Sequence, residues 1–569
     1  LPLIRPFRPF AALALLLATT APVFADGAAG AYLAARHADM SGDYRAVVEY
    51  GTRTLARDPE NVQVIEGLLI AHIGLGDLDT ALPIARRLLQ LNDGNQVAGL
   101  VLLGGAMQSE DWARVLELQD GGASVGGLID QMITAWSHLG AGRMSQALEI
   151  LDRLAKEPGS EGFALYHKAM ALALVGDYEG AADLLGADGG ALQMNVRGIV
   201  AYAQILSQLE RNEDALTLLN DIFPADSNAT VNALRVRLEA GEPVPFDALS
   251  SPRDGIARVF FTVADTLASD ADPQVVLLYS RMAEYLDPTM FEATILSAQL
   301  LEVMERYELA VDTYERVSPD AYAYPEAALG QADALRRMGK IDEAIGELRT
   351  LAKAFPDLAP IHETLGDALR QEDRFAEAIP AYDSAITLYG DTVSARRWPL
   401  FFARAICHER TDQWPQAEAD FRKALELNPE QPSVLNYLGY SFVEMQENLV
   451  EALDMIERAV AAEPNSGYIV DSLGWVYFRL GRYEEAVTQM ERAVELMAVD
   501  PVVNDHLGDT YWAVGRHREA EFQWSRALSF ITDDTDLDEV KPDRIRRKLE
   551  VGLDVVLEEE GADPLQATQ

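Results

Sequence analysis

The chain has 569 residues, of which 49% are apolar and 24% charged. That balance is foldable and soluble, but the length exceeds what one compact core can serve, so several domains or a repeat array are expected. Acidic residues number 91 against 47 basic, a net charge of −44, which argues against binding nucleic acid or an anionic membrane through a general field.

Residues 1–25 read as an export signal. Arg5 and Arg8 form a charged start, and Phe10 to Ala21 is apolar apart from Thr19 and Thr20. Val23-Phe24-Ala25 then offers small residues for cleavage before Asp26. The apolar run is shorter than the ~20 residues that span a bilayer. The expectation is cleavage after Ala25, a periplasmic location, and no transmembrane segment in the mature chain. The single cysteine, Cys407, cannot form an internal disulfide. Beside Phe401, Phe402 and Ile406 it reads as a small buried apolar residue.

A small residue recurs along nearly the whole chain: Val47, Ala81, Val115, Ala147, Ala181 and Ala215, then Val276, Ala310, Ala344, Ala378, Ala417, Ala452, Ala486 and Ala520. Most steps are 34 residues, the length of two antiparallel helices with short turns. Small residues are needed where helix axes approach to about 8–10 Å. Gly366, Gly439, Gly474 and Gly508 suit that role in first helices, and Ala385, Ala424, Ala459, Ala493 and Ala527 in second helices. The spacing predicts an all-α solenoid of about fourteen helix pairs.

The pattern divides the chain. Residues 26–240 keep the period with a weakened motif. Residues 241–256 carry three prolines and read as a linker or hinge. Residues 257–530 form a second array, with turn insertions near Tyr389-Gly390-Asp391 and Gln446-Glu447-Asn448. Residues 531–569 hold an acidic linker, a capping helix from Pro542 carrying Ile545, Leu549, Leu553 and Val556 on one face, and a disordered tail from Glu558. The basic side chains Arg544, Arg546, Arg547 and Lys548 are expected to pair with the acidic linker before them.

The sequence carries no complete catalytic or metal-binding constellation. Asp534, Asp536 and Asp538 alternate like a calcium loop, but Glu539 stands where the turn glycine belongs and Ile545 where the bidentate acid belongs. His362-Glu363 and His408-Glu409 lack a second histidine four residues on. No cofactor, no metal and no enzymatic activity are expected.

What remains is a surface. In stacked pairs the first helices line the concave side, and one face of each presents residues spaced four and then three apart. In three consecutive units that face holds Asn436 and Tyr440; Asp471, Trp475 and Phe478 with Arg479 beside it; and Asp505, Asp509 and Trp512. Aromatics beside hydrogen-bonding groups are typical of hot spots, so these residues are the expected groove for a protein or peptide partner. Farther back the face carries Arg336 and Arg337, then Glu363, Asp367 and Arg370.

Leu438-Gly439-Tyr440, Leu473-Gly474-Trp475 with Arg482-Tyr483-Glu484-Glu485-Ala486, and Leu507-Gly508-Asp509 with Tyr511 identify the chain as a member of the tetratricopeptide superfamily. The run from Asn436 through Ala520, behind a long degenerate array, also resembles bacterial envelope repeat proteins. Among these is the lipoprotein adaptor that presents substrates to a carboxyl-terminal processing protease. The chain departs from that adaptor in lacking a lipidation cysteine after the signal. The resemblance implies a periplasmic scaffold or adaptor. The alternative is a structural component of an exopolysaccharide or outer-membrane assembly machine.

Overall fold

The turn inside a helix pair needs one residue at positive φ, and it recurs with the period. It falls at Gly42, Gly76, Glu110, Gly142, Gly176 and Glu210, then at Glu305, Gly339, Asp373, Asp412, Gln446, Gly481 and Gly515. The next residue often caps the second helix: the Asp43, Asp77 and Asp111 carboxylates accept from the backbone N–H groups of Ala46, Thr80 and Arg114. Each turn thus closes one helix and opens the next.

The computed structural model describes residues 28–186, 196–223, 229–390, 394–532, 535 and 537–565. The predicted export signal and Asp534 and Asp536 lie outside them. Among the described residues there is no strand, and the helices form fourteen antiparallel pairs, six before residue 224 and eight from Pro252 to Ser529. Two units divide the chain, Leu1–Glu347 and Leu348–Gln569.

In the first unit, the segment after helix Ala229–Glu239 is pinned to helix Val196–Gln208. The Val244 N–H donates to Ser207 Oγ at 2.9 Å, Gln208 donates to the Val244 carbonyl at 2.6 Å, and Gln204 bonds Asp247 at 2.6 Å. Val244 and Leu249 are buried. A reciprocal Ser251–Asp254 capping box then opens helix Pro252–Leu267, with Pro252 in its first turn. This helix and Pro273–Leu286 lie against first helices of the same unit, Gly127–Gly140, Gln96–Gln108 and Val62–Gly74.

That packing explains an oddity of composition. Val62–Gly74 and Gln96–Gln108 are apolar nearly all round, as a helix buried on every side must be. The close approach is visible at Gly104, where an added Cβ would lie 2.6 Å from Met282 Sδ, and at Gly255, where it would lie 2.5 Å from the Trp136 ring. Arg281, 1% exposed, ties the contact together. It donates to the Gly74 carbonyl at 3.2 Å, to Glu284 at 2.9 Å and to Thr313 at 2.9 Å. Arg316 donates to the Leu75 carbonyl at 2.8 Å and Tyr285 to Asp79 at 2.7 Å, while Arg45 pairs with Asp312.

The second unit stacks Ala359–Gln371 with Phe375–Tyr389, Trp398–Glu409 with Trp414–Leu427, Pro432–Glu444 with Leu449–Ala462, Gly467–Arg479 with Tyr483–Leu496, and Pro501–Ala513 with His517–Ser529. An added Cβ at Gly366, Gly474 or Gly508 would lie 2.7 Å from Tyr382, 2.8 Å from Met490 or 2.4 Å from Trp524. The aromatic or methionine on the second helix therefore fills the space that a first-helix side chain would need. Arg458, Arg492 and Arg526 repeat a brace, donating to the carbonyls of Pro429, Pro464 and Ala498 in the turn before each pair.

The end of the chain differs from the sequence expectation. Gly552 at φ +87° breaks the single predicted helix into Pro542–Val551 and Leu553–Glu560. Only glycine suits the break, since it adopts that φ freely and a Cβ there would lie 2.4 Å from the Trp512 ring. Glu558–Glu560 is therefore helical, and the basic residues find acids outside the linker: Arg547 pairs forward with Glu559 and Glu550, and Arg544 pairs forward with Glu560 and back with Asp509. Ile545, Leu553 and Val556 are buried as the cap requires.

Candidate functional site

The candidate surface is the face shared by the first helices of the second unit. The 34-residue period brings equivalent positions of Pro432–Glu444, Gly467–Arg479 and Pro501–Ala513 side by side. All nine candidate residues fall on these helices, but their surroundings differ.

Trp475 is the centre. Its ring stacks on His506 at 4.0 Å and on Phe478 at 4.8 Å, and its Nε1–H donates to Glu444 at 2.7 Å. It is 7% exposed. Arg479 lies over the same ring at 5.2 Å and 3.9 Å from Glu444, one-quarter exposed. Phe478 is buried, with its ring against Tyr483 at 5.5 Å. Tyr440 and Asn436 are half-buried on the preceding helix, and the Asn436 side-chain oxygen has no hydrogen-bond partner. An unpaired buried acceptor is a standing cost of about 1–3 kcal/mol.

The acids at the equivalent positions are already matched. Asp471 accepts from His506 Nδ1 at 3.0 Å. Asp505 and Asp509 share Lys548 Nζ at 2.5 and 2.6 Å, and Asp509 also accepts from Trp524 Nε1 at 2.8 Å. Burial, with Asp509 adding to it against the pull of Lys548, holds the Asp505 carboxyl above the usual carboxylate range. Trp512 packs on His517 at 4.1 Å and donates to Asp554 at 2.9 Å. Asp505, Asp509 and Trp512 are thus covered by the two terminal helices, whereas Tyr440, Glu444 and Arg479 lie toward the surface.

Three residues on or against this face escaped sequence reasoning: Glu444, His506 and Lys548. Each is a charged or titratable residue on a helix the sequence had placed. Lys548 even lay in the basic run already noted, but its partners lie 43 and 39 residues upstream.

The earlier rows are mixed in charge. Glu363 accepts from Tyr389 at 2.7 Å and pairs with Arg397 at 2.9 Å, and Asp367 accepts from Tyr382 at 2.8 Å. In the first unit Arg336 and Arg337 both pair with Asp333. Among the described residues no cluster of three or more His, Cys, Asp or Glu could hold a metal ion, and no helix is long and apolar enough to cross a membrane. Cys407 is fully buried, and burial pushes its thiol up to about 12.

Three tetratricopeptide-repeat family models match, one at residues 295–357 and 329–392, one at 398–431 and one at 469–497. A TPR repeat-containing protein of Pseudomonas aeruginosa is 28% identical over 33% of this chain and 31% of its own length. A lipoprotein NlpI homolog of Haemophilus influenzae is 29% identical over 18% of this chain and 32% of its own. The chain therefore spans about a third of these relatives' lengths. A solved tetratricopeptide repeat protein of Parabacteroides merdae aligns with 46% of this chain and 98% of its own at 15% identity, TM-score 0.36. By its repeat period, its helix pairing and these family matches, the chain belongs to the tetratricopeptide-repeat superfamily.

Proposed function

We propose that this protein is a periplasmic scaffold that holds a protein partner against the first-helix face of its second unit, around Tyr440, Trp475 and Arg479, and presents substrates to an envelope protease. The repeats make it a protein–protein interaction scaffold; the compartment, the face and the protease are the proposal. One observation carries the choice of face. In the first unit the corresponding first-helix face is filled by the chain's own helices Pro252–Leu267 and Pro273–Leu286. In the second unit Tyr440, Glu444 and Arg479 lie toward the surface beside a rigid aromatic stack. The envelope lipoprotein relative supports the compartment. The function proposed requires no catalytic group.

The test is affinity purification of the exported chain from periplasm, comparing wild type, Tyr440→Ala with Arg479→Ala, and Phe522→Ala on an exposed second-helix position. Loss of a specific co-purifying protein only in the double variant supports the face. Equal recovery across all three overturns it.

A further inference from the structure

His506 is a buried titratable group at the one place where the candidate face is most tightly assembled. Its ring lies between the Trp475 indole, 4.0 Å away and nearly parallel, and the Asp471 carboxylate, whose oxygens are 3.0 and 3.2 Å from Nδ1. Both contacts cross from helix Pro501–Ala513 to helix Gly467–Arg479, so this one imidazole joins two consecutive repeats. The remaining charges around it are placed on five elements. Asp505 stands next to it on its own helix, and Lys548 of the cap neutralises Asp505 at 2.5 Å. Glu444 of the preceding repeat sits on the far edge of Trp475, with Arg479 over the same ring. Glu491 of helix Tyr483–Leu496 is committed to Tyr511 and Arg516. The unbalanced charge facing the ring is therefore Asp471.

We propose that the His506–Asp471 ion pair is a pH-sensitive latch on the partner-binding face: protonated, it clamps Trp475 and Phe478 in their stack, and on deprotonation the two repeats loosen there. The deprotonated ring keeps one Nδ1–H···carboxylate bond at best and leaves the Asp471 charge buried and unmatched, a state that burial penalises. Burial by itself would favour the neutral ring, but Asp471, with Asp505 and Glu444 adding, outweighs it and raises the folded-state value. For a group raised on folding, the stabilisation is complete below its unfolded value and is lost as pH rises through the folded one. The latch is therefore closed in mild acid and opens toward alkaline pH. Its effect on a partner rests on the function proposed above; its effect on the helices does not.

The experiment is hydrogen exchange on the purified full chain without any partner, from about pH 6 to 9, corrected for the intrinsic pH dependence of exchange. Peptides from 467–479 and 501–513 are expected to lose protection severalfold across that range, while 359–371 stays level. The variant His506→Gln with Asp471→Asn keeps size and hydrogen bonding without charge and is expected to be flat with pH. His506→Gln alone leaves Asp471 unmatched and is expected to be loose at every pH. A flat wild type, or a double variant that keeps the slope, overturns the latch. Either outcome is reached without a partner, so failure here is distinct from failure of the groove assignment.

Discussion

Lys548 offers the sharpest energetic prediction. Its ammonium is fully buried between Asp505 and Asp509, at 2.5 and 2.6 Å, and Asp509 has Arg544 as a second cation at 3.5 Å. Lys548 is the one fully buried cation between the two acids, while Arg544, one-quarter exposed, is shared between Asp509 and Glu560. Lys548→Met fills the space of the stem but leaves one carboxylate without a counter-charge. Breaking a buried pair from one side costs about 3–5 kcal/mol, whereas replacing the set with neutral groups costs far less. Lys548→Met with Asp505→Asn and Asp509→Asn should therefore recover most of the loss. Stacked repeats need not unfold in one step, so the assay is hydrogen exchange in 501–513, 517–529 and 542–551 of the full chain. The folded-state value of Asp505 is already raised, by burial before anything else, so its protonated form is favoured in the fold. In Lys548→Met the lost protection should accordingly return as pH falls, because a group raised on folding stabilises below its unfolded value. A single variant that loses less than about 1 kcal/mol, or a triple variant no better than the single, would refute the reasoning.

Glu305 sits at φ +60° at the turn position that seven glycines and five other non-glycine residues occupy in the same repeat series. Glu305→Gly should gain about 0.5–1 kcal/mol, read as a later urea midpoint for the first unit; a loss would contradict the turn assignment. Gly508→Ala should cost about 1–3 kcal/mol, since Trp524 lies 2.4 Å from the new methyl and its Nε1–H is held by Asp509. A change in the near-ultraviolet signal of the tryptophans should accompany it. Arg281→Ala should free the Gly74 carbonyl and Thr313 and expose 62–74 and 273–286 to limited proteolysis together. Cleavage confined to one of the two would argue that they do not support one another.

The repeat architecture was legible because packing acts locally: the alanines from Ala81 to Ala520 and the first-helix glycines mark where axes touch, and neither needs knowledge of distant contacts. A further signal was present and went unread. Gly42-Asp43, Gly76-Asp77, Glu110-Asp111 and Gly176-Asp177 mark the turn and cap of degenerate repeats whose Leu-Gly motif is gone. The filling of the first unit's face was less accessible. Helices 62–74 and 96–108 announce all-round burial, but what buries them begins at Pro252, beyond a proline-rich segment that reads as a break. The alignment of the candidate site along one face of consecutive first helices was legible for the same periodic reason. Its electrostatics were not, since His506 and Lys548 meet their acids only after the stack is built. The single cap helix breaks at Gly552, whose positive φ and missing Cβ leave room for the Trp512 ring, a contact made only after the stack is built.

The central claim is that partners meet this protein on the first-helix face of the second unit. A photocrosslinking amino acid placed at Gln371, Arg410, Glu444 or Arg479, at the same end of four successive first helices, tests it in living cells. Controls belong at Val450 and Phe522, exposed at 82% and 61% on second helices. Adducts to one partner from the first-helix positions, absent from the controls, are the predicted result. Adducts of equal yield from Val450 and Phe522, or from the controls alone, would contradict it.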